Sequence, residues 1–376
     1  RIVLVCARAR ARQLGVPVHL YKNNTDFHGA SYGAHENYLM ARSVPFETVI
    51  SALIPFFVTR PIYAGAGKVG CEPRASDAAA LFQLSQRADF LTETASVDTL
   101  HRRPIINTRD EPHADPRSYR RLHVICGDAN MSPYATWLKA GTTSLVLGVL
   151  EQGWHPPFSV RHPVQAMRNV SRDQSFRWLV ETEPGGCVPA VEIQRWYLQA
   201  AQRLNAAAHP DYQSVLGEWE RVLDALERDP FSLADSLDWV AKRQLLDTYR
   251  QENRLGWDDP ALCSLDLEYH NIDPDVGLYY ALEADGCMRP FLSHDEVARA
   301  KEAPPATRAA IRGACVKKFS QLIDAVTWTR VALDTGAGRV TLNLRHLLDG
   351  RAAQVAAALH QASTPADLAK MLKESV

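Results

Sequence analysis

Two short stretches concentrate the residue types that do chemistry. The first, KNNTDFHGASYGAHENYLM, sets His35, Glu36 and Asn37 side by side, and the second, RRLHVICGDANMS, sets Arg121 two residues before His123. Alternate side chains of a strand share a face. A strand through His35–Leu39 therefore turns His35 and Asn37 one way and Glu36 and Tyr38 the other. A strand over Arg121–Cys126 sends Leu122, Val124 and Cys126 into a core and presents Arg121 with His123 on the opposite face. Each strand then offers an imidazole and one further polar group. A neutral imidazole beside a guanidinium fork suits a phosphate oxygen and the metal that bridges it. On spacing alone, histidines merely hydrogen-bonded on half-exposed strands explain the pattern as well.

Arg87, in LSQRADF, and Arg109, in INTRDEPHAD, are the other candidates. Asp110, Glu111, His113 and Asp115 crowd around Pro112 beside Arg109. The crowding reads either as a solvated loop with local ion pairs of little worth, or as an arginine oriented by acids toward a carboxylate or phosphate. AGAGKVG, residues 64–70, matches G-x-G-x-x-G, yet a dinucleotide fingerprint must open a helix. Here Cys71-Glu72-Pro73 follows, and the residue before a proline disfavours helix. Val69 also stands where a P-loop needs Ser or Thr. The segment reads as a tight turn. H-E-x-x-H and zinc-type Cys/His spacings are missing from the sequence, which gives metalloprotease motifs no support.

The elements that must position these residues follow from apolar spacing. Helices are expected over Arg1–Leu14 (Ile2, Val5, Cys6 and Leu14 on its apolar face), Phe46–Val58, Pro133–Gln152, Val188–Leu204, Tyr212–Arg228 and Ser232–Arg250. Strands are expected over Val16–Tyr21 and Leu81–Leu84. Pro304-Pro305 marks a boundary between residues 1–303 and a small domain, 304–376. That domain holds a helix over Ala306–Phe319, strands over Ala325–Leu333 and Arg339–Leu344, and two final helices, after Gly350 and capped at Thr364-Pro365. With 376 residues and a formal net charge of −1, the chain lacks the basic excess of a nucleic-acid binder. No apolar run approaches the roughly 20 residues of a membrane span. Seven scattered cysteines without a C-x-x-C pair suggest reduced, mostly buried thiols in a cytoplasmic protein.

YKNNTDFHGASYGAHENYL, PIINTRDEPHAD, YRRLHVICGDANMS and LDLEYHNIDPDVGLYY together resemble the Pup ligase/depupylase family, relatives of glutamine synthetase. The likeness runs from about residue 14 to the C-terminus. ASYG, LSQRADF, GDAN and PPATRAAIRGACVKKF resemble its deamidase/depupylase branch more than its ligases. The resemblance implies an α+β fold: a curved antiparallel sheet backed by helices, holding ATP and Mg2+ on its concave face, with a small C-terminal α/β domain. It implies His35 and His123 as metal ligands, Asn37 and Arg121 as ATP contacts, and Arg87 and Arg109 near phosphates and the C-terminus of Pup. Trp328 is a further expected nucleotide contact. The implied partners are Pup and pupylated proteins, with a monomeric enzyme and neither nucleic acid nor membrane. The implied activity is hydrolysis of the Pup–lysine isopeptide bond and deamidation of the C-terminal Gln of Pup. Pup–protein ligation, or Pup binding without catalysis, are the alternatives. The family's catalytic aspartate and acidic metal ligands are expected upstream of Arg1, so residues 1–376 alone are expected to be inactive and to bind Mg-ATP weakly. Glu36, Asp110 and Asp128 are the first substitutes to consider for the missing acid.

Overall fold

The structure, a computed structural model, describes residues 2–72, 81–204, 209–305, 307–345 and 351–374. Pro73, Gly350 and the expected helix start at Ala306 lie outside them. The chain divides into two compact units: residues Arg1–Asp110 with Leu122–Phe291, and Glu111–Arg121 with Leu292–Val376. Each mixes helix with sheet, and no described helix is long and apolar enough to cross a membrane.

The first unit opens with α1 (Ile2–Leu14), β1 (Glu36–Ala41), α2 (Phe46–Thr59) and the short α3 (Pro61–Ala64). Next come the paired β2 (Lys68–Val69) and β3 (Phe82–Gln83), then β4 (Glu93–Ser96), β5 (Pro104–Asn107) and β6 (Tyr119–Val124), of which Leu122–Val124 fall in this unit. The main sheet has the order β1-β6-β5-β4. β5 and β6 run antiparallel, with Asn107 opposite His123, whereas β4 and β5 run parallel. The helical layer contains α4 (Pro133–Glu151), α5 (Pro163–Arg172), α6 (Ala190–Gln202), α7 (Pro210–Arg228), α8 (Asp238–Asn253), α9 (Pro260–Tyr269) and α10 (Leu278–Ala284). A small sheet of β7 (Ser159–Val160), β8 (Leu179–Glu183) and β9 (Cys187–Pro189) lies among them in sequence.

Burial explains why these segments take these forms. From Ala52 to Thr59, α2 is buried without interruption, so it packs on all sides and supplies Phe56 and Phe57 to the core. Phe56 meets the rings of Tyr197 of α6 and Trp219 of α7, and the same core holds Leu138 and Val146 of α4 and Trp239 of α8. The start of α4 is fixed by Ser132, whose Oγ accepts the Ala135 N–H at 3.1 Å. Ala41 donates its N–H to Glu151 Oε1 at 2.6 Å, which ties the end of β1 to the end of α4.

The second unit follows helix α11 (His294–Arg299) with α12 (Arg308–Phe319), the antiparallel meander β10 (Ile323–Val326), β11 (Arg330–Asp334) and β12 (Arg339–Asn343), then α13 (Arg351–Gln361) and α14 (Pro365–Glu374). Ile311, Cys315 and Phe319 pack with Val331, Leu333, Leu342, Leu359 and Leu368. Thr364 caps α14 as expected: its Oγ1 accepts the Asp367 N–H at 3.1 Å and its own N–H reaches back to Asp367 at 3.0 Å.

Four local expectations are corrected. In α1 the buried face carries Leu4 and Ala11, with Arg8 between them ion-paired to Asp273, while Ile2, Val5 and Leu14 are exposed. Residues 16–21 form no strand; only Tyr21 bridges to Asn271. Ala325–Leu333 is two strands, because Thr327 donates its N–H to Arg330 O at 2.8 Å and turns the chain. The cysteines are all free, but only Cys126 and Cys315 are buried.

Candidate functional site

β1 and β6 adopt the alternation read from their residues. His35, directly before β1, and Asn37 and Leu39 on it are exposed, while Glu36 and Tyr38 are half-buried and Met40 is fully buried. On β6, Leu122 and Val124 enter the core, and Arg121 and His123 share the other side by strand periodicity.

The two imidazoles meet. His35 Nδ1 and His123 Nε2 are 3.3 Å apart and the rings stand edge to face at 4.9 Å between centroids. Asn107 fixes the protons. Its amide nitrogen donates to Asp98 O at 3.3 Å, so its Oδ1 is the atom facing His123 Nδ1 at 3.1 Å. An amide oxygen only accepts, so His123 carries its proton on Nδ1, leaving the Nε2 lone pair to accept from His35 Nδ1–H. The same Oδ1 accepts the Arg109 backbone N–H at 3.0 Å. Asn107, which the sequence reading passed over, thus couples the Arg109 loop to His123. Its place in PIINTRDEP, directly before the Arg109 motif, was the available signal.

The back of β1 is clamped. Arg60 grips Glu36 through two parallel bonds, 2.6 Å to Oε1 and 2.8 Å to Oε2, and also donates to Thr143 Oγ1 at 3.0 Å. Tyr38 donates to Glu36 Oε2 at 2.6 Å. Burial alone would push the Glu36 carboxyl up, but Arg60 outweighs it, with Lys139 adding, so the carboxyl lies below its ordinary range. Gly127 makes room for this pair: a Cβ there would collide with Glu36 Oε1 and press on Arg60. Because the pair is held on several sides, Gly127→Ala is expected to cost about 1–3 kcal/mol of stability, read by urea denaturation. An unchanged midpoint would show that the clamp yields.

The remaining candidates fall in different places. Arg87 is buried, donating to Ile125 O at 3.0 Å, to Tyr32 O at 3.3 Å and to Ser31 Oγ. Burial, with Arg103 nearby, pulls its guanidinium down to about 10. Arg87 therefore braces the loop before His35 against the end of β6. Arg109 lies on an exposed loop, where Arg42 pairs with Asp110 at 2.6 Å. Trp328 belongs to the second unit and is exposed, with the Arg312 guanidinium 4.9 Å from its ring centroid. The three substitute acids are all engaged: Glu36 by Arg60, Asp110 by Arg42, and Asp128 by the N–H groups of Ala66 and Gln86 and by Ser85 Oγ. Burial pushes the Asp128 carboxyl up despite those donors.

AGAGKVG is indeed no nucleotide fingerprint. Gly67 takes a left-handed φ of +73°, Lys68 and Val69 pair with β3, and no helix follows in the described residues.

Comparison with known proteins completes the picture. The profile of the Pup-ligase protein family matches residues 1–332. The chain is 47% identical over 342 residues to the depupylase of Acidothermus cellulolyticus, spanning 89% of this chain and 68% of that protein. To the Pup deamidase/depupylase of Mycolicibacterium smegmatis it is 43% identical over 378 residues, 99% and 76% of the two lengths. The Pup–protein ligase of Pseudarthrobacter chlorophenolicus is 42% identical over 344 residues, 89% and 75%. The solved structure of the Pup ligase PafA with ADP aligns at a TM-score of 0.82 and 33% identity, covering 98% of this chain and 79% of that one. This match establishes the glutamine-synthetase-like α+β fold.

Proposed function

The chain belongs to the Pup-ligase protein family, and we propose that within it the protein is the deamidase/depupylase, hydrolysing the Pup–lysine isopeptide bond and the C-terminal glutamine amide of Pup in an ATP-dependent site. The observation that carries the site is the meeting of His35 and His123, oriented by Asn107, on the outer face of β1 and β6. Two of the relatives with the highest identity carry depupylase names, as the ASYG and GDAN motifs anticipate.

The residues present suit the nucleotide. The Asn37 amide and the Arg121 fork offer donors to phosphate oxygens, and a solved relative was determined with ADP. They suit magnesium poorly. That ion prefers oxygen ligands in octahedral geometry, and no group of three His, Cys, Asp or Glu converges among the described residues. No step is therefore routed through the ion on these residues. His35 and His123, the expected metal ligands, are proposed to line the nucleotide site. A bound nucleotide supplies polyanionic charge that organises the cationic groups around it. The chain's part is to hold two imidazoles in a fixed tautomer, to present Asn37 and Arg121 beside them, and to hold Arg109 through Asn107 for a phosphate or the carboxylate end of Pup.

The reading is tested on the full-length protein. With ATP, it should release lysine from a Pup conjugate and form no new conjugate from free Pup and an acceptor lysine. Conjugate formation would assign the ligase reaction instead. In the same form, Arg109→Lys should slow cleavage, because an ammonium does not reproduce the planar two-point fork. Wild-type cleavage by that variant would make the Arg109 loop structural.

A further inference from the structure

Two motifs remain outside the site just described: the AGAGKVG turn and LDLEYHN at the end of α9. They meet at a buried lysine. Lys242 of α8 is fully buried, and its Nζ reaches Gly67 O at 2.8 Å, Asp266 Oδ1 at 2.5 Å and His270 Nε2 at 2.7 Å. Three acceptors use all three protons of an ammonium. The other nitrogen of His270, Nδ1, is 2.8 Å from Lys22 O and must donate to it. Nε2 is then an acceptor, filled by Lys242 and by Gln86 Nε2 at 2.9 Å.

Gln86 carries the connection outward. Its second amide proton goes to Gly67 O at 3.1 Å, and its Oε1 accepts the Asn24 N–H at 2.8 Å. Asn24, itself fully buried, bonds Tyr32 twice: Nδ2 to Tyr32 O at 2.8 Å, and Asn24 O from the Tyr32 N–H at 2.9 Å. Its Oδ1 accepts the Ala129 N–H at 2.7 Å. The backbone of Lys22 adds a bond from its N–H to His270 O at 2.9 Å. Residues 22–32 lead straight to His35, and Gln86 directly precedes Arg87, which holds Ser31 and Tyr32 from the other side. This segment has no helix and one isolated bridge, Thr25 to Ser31, so side chains take the place of secondary structure.

We propose that Lys242, His270 and Gln86 form a buried positioning chain that sets residues 22–35, and with them the place of His35 opposite His123. None of the three touches the imidazole pair. Their effect on nucleotide binding rests on the reading of the His35/His123 face given above, whereas their effect on the order of residues 22–35 does not.

The experiment measures hydrogen–deuterium exchange and ADP affinity on the whole chain for wild type, Lys242→Met, Gln86→Met and the double variant. Gln86→Met leaves no charge unpaired, so it decides the matter should Lys242→Met fail to fold. Each single variant should raise exchange in peptides covering residues 22–35 by about tenfold and weaken ADP by about tenfold, the scale of one buried hydrogen-bond partner lost. Peptides of α4 should exchange as in wild type. The double variant should fall short of the product of the two singles, as members of one network do. Wild-type exchange over 22–35 in Gln86→Met would overturn the proposal, and so would a rise shared equally by α4, or independent effects in the double variant. Absence of ADP binding by the wild-type chain would instead strike the nucleotide reading, leaving the exchange result to stand or fall by itself.

Discussion

Arg60→Ala should destabilise the protein by about 3–5 kcal/mol, the cost of stranding a charge whose partner has been removed. Both side chains are shielded, at 3% exposure for Arg60 and 12% for Glu36, and the contact is two-pronged. The carboxylate left behind would keep Tyr38 as its neighbour but lose the cation that holds its charge in place. A buried ion pair is not itself strong evidence of net stabilisation, since a neutral pair of similar shape often serves as well. The paired variant Arg60→Met/Glu36→Gln should therefore recover much of the loss. Urea unfolding of the three proteins reads the result. Equal loss in the single and the paired variant would mean that packing against Phe57, whose ring centre is 4.7 Å from the guanidinium, matters more than charge.

His123→Ala should leave the fold standing and remove much of its use. The side chain is nearly covered, yet its ring touches His35 and Asn107 on the sheet's outer face rather than the apolar core. Loss of one buried hydrogen-bond partner typically costs about 1–3 kcal/mol, roughly 10- to 100-fold in affinity. We expect ADP affinity, and cleavage by the full-length protein, to fall together on that scale. Asn107→Ala should produce a smaller loss of the same kind, because it frees the tautomer of His123 without removing the ring. Unchanged ADP binding and turnover in His123→Ala would take that residue out of the site.

Strand alternation carried the sequence reading furthest. Residues 35–39 and 121–126 declared their faces through a period of two, and the structure keeps those faces. Long helices with strong apolar spacing were legible for the same reason, within two or three residues for α2, α4 and α7. What escaped was tertiary. In α1, the pairing of Arg8 with Asp273 selects which stripe is buried, and no local pattern announces a partner 265 residues away. The turn at Thr327–Arg330 sits inside a β-rich run, so propensity alone read through it. Lys242, Asp266 and His270 occupy ordinary helical surroundings in the sequence, and only the fold brings them to one point. Arg87 shows the converse: a motif located it, but its burial reassigns the guanidinium to the protein's own carbonyls.

A nucleotide is proposed to be received beside the imidazole pair at β1 and β6. The most direct measurement is an ADP titration of the chain followed through the imidazole nitrogen signals of His35, His123 and His270 by NMR. His270 serves as the internal control, since it is fully buried and burial, reinforced by Lys242, holds it neutral well below the usual histidine range. Saturable shifts of His35 and His123 with one common affinity are expected while His270 stays fixed. Saturable ADP binding that leaves both His35 and His123 unmoved would contradict it.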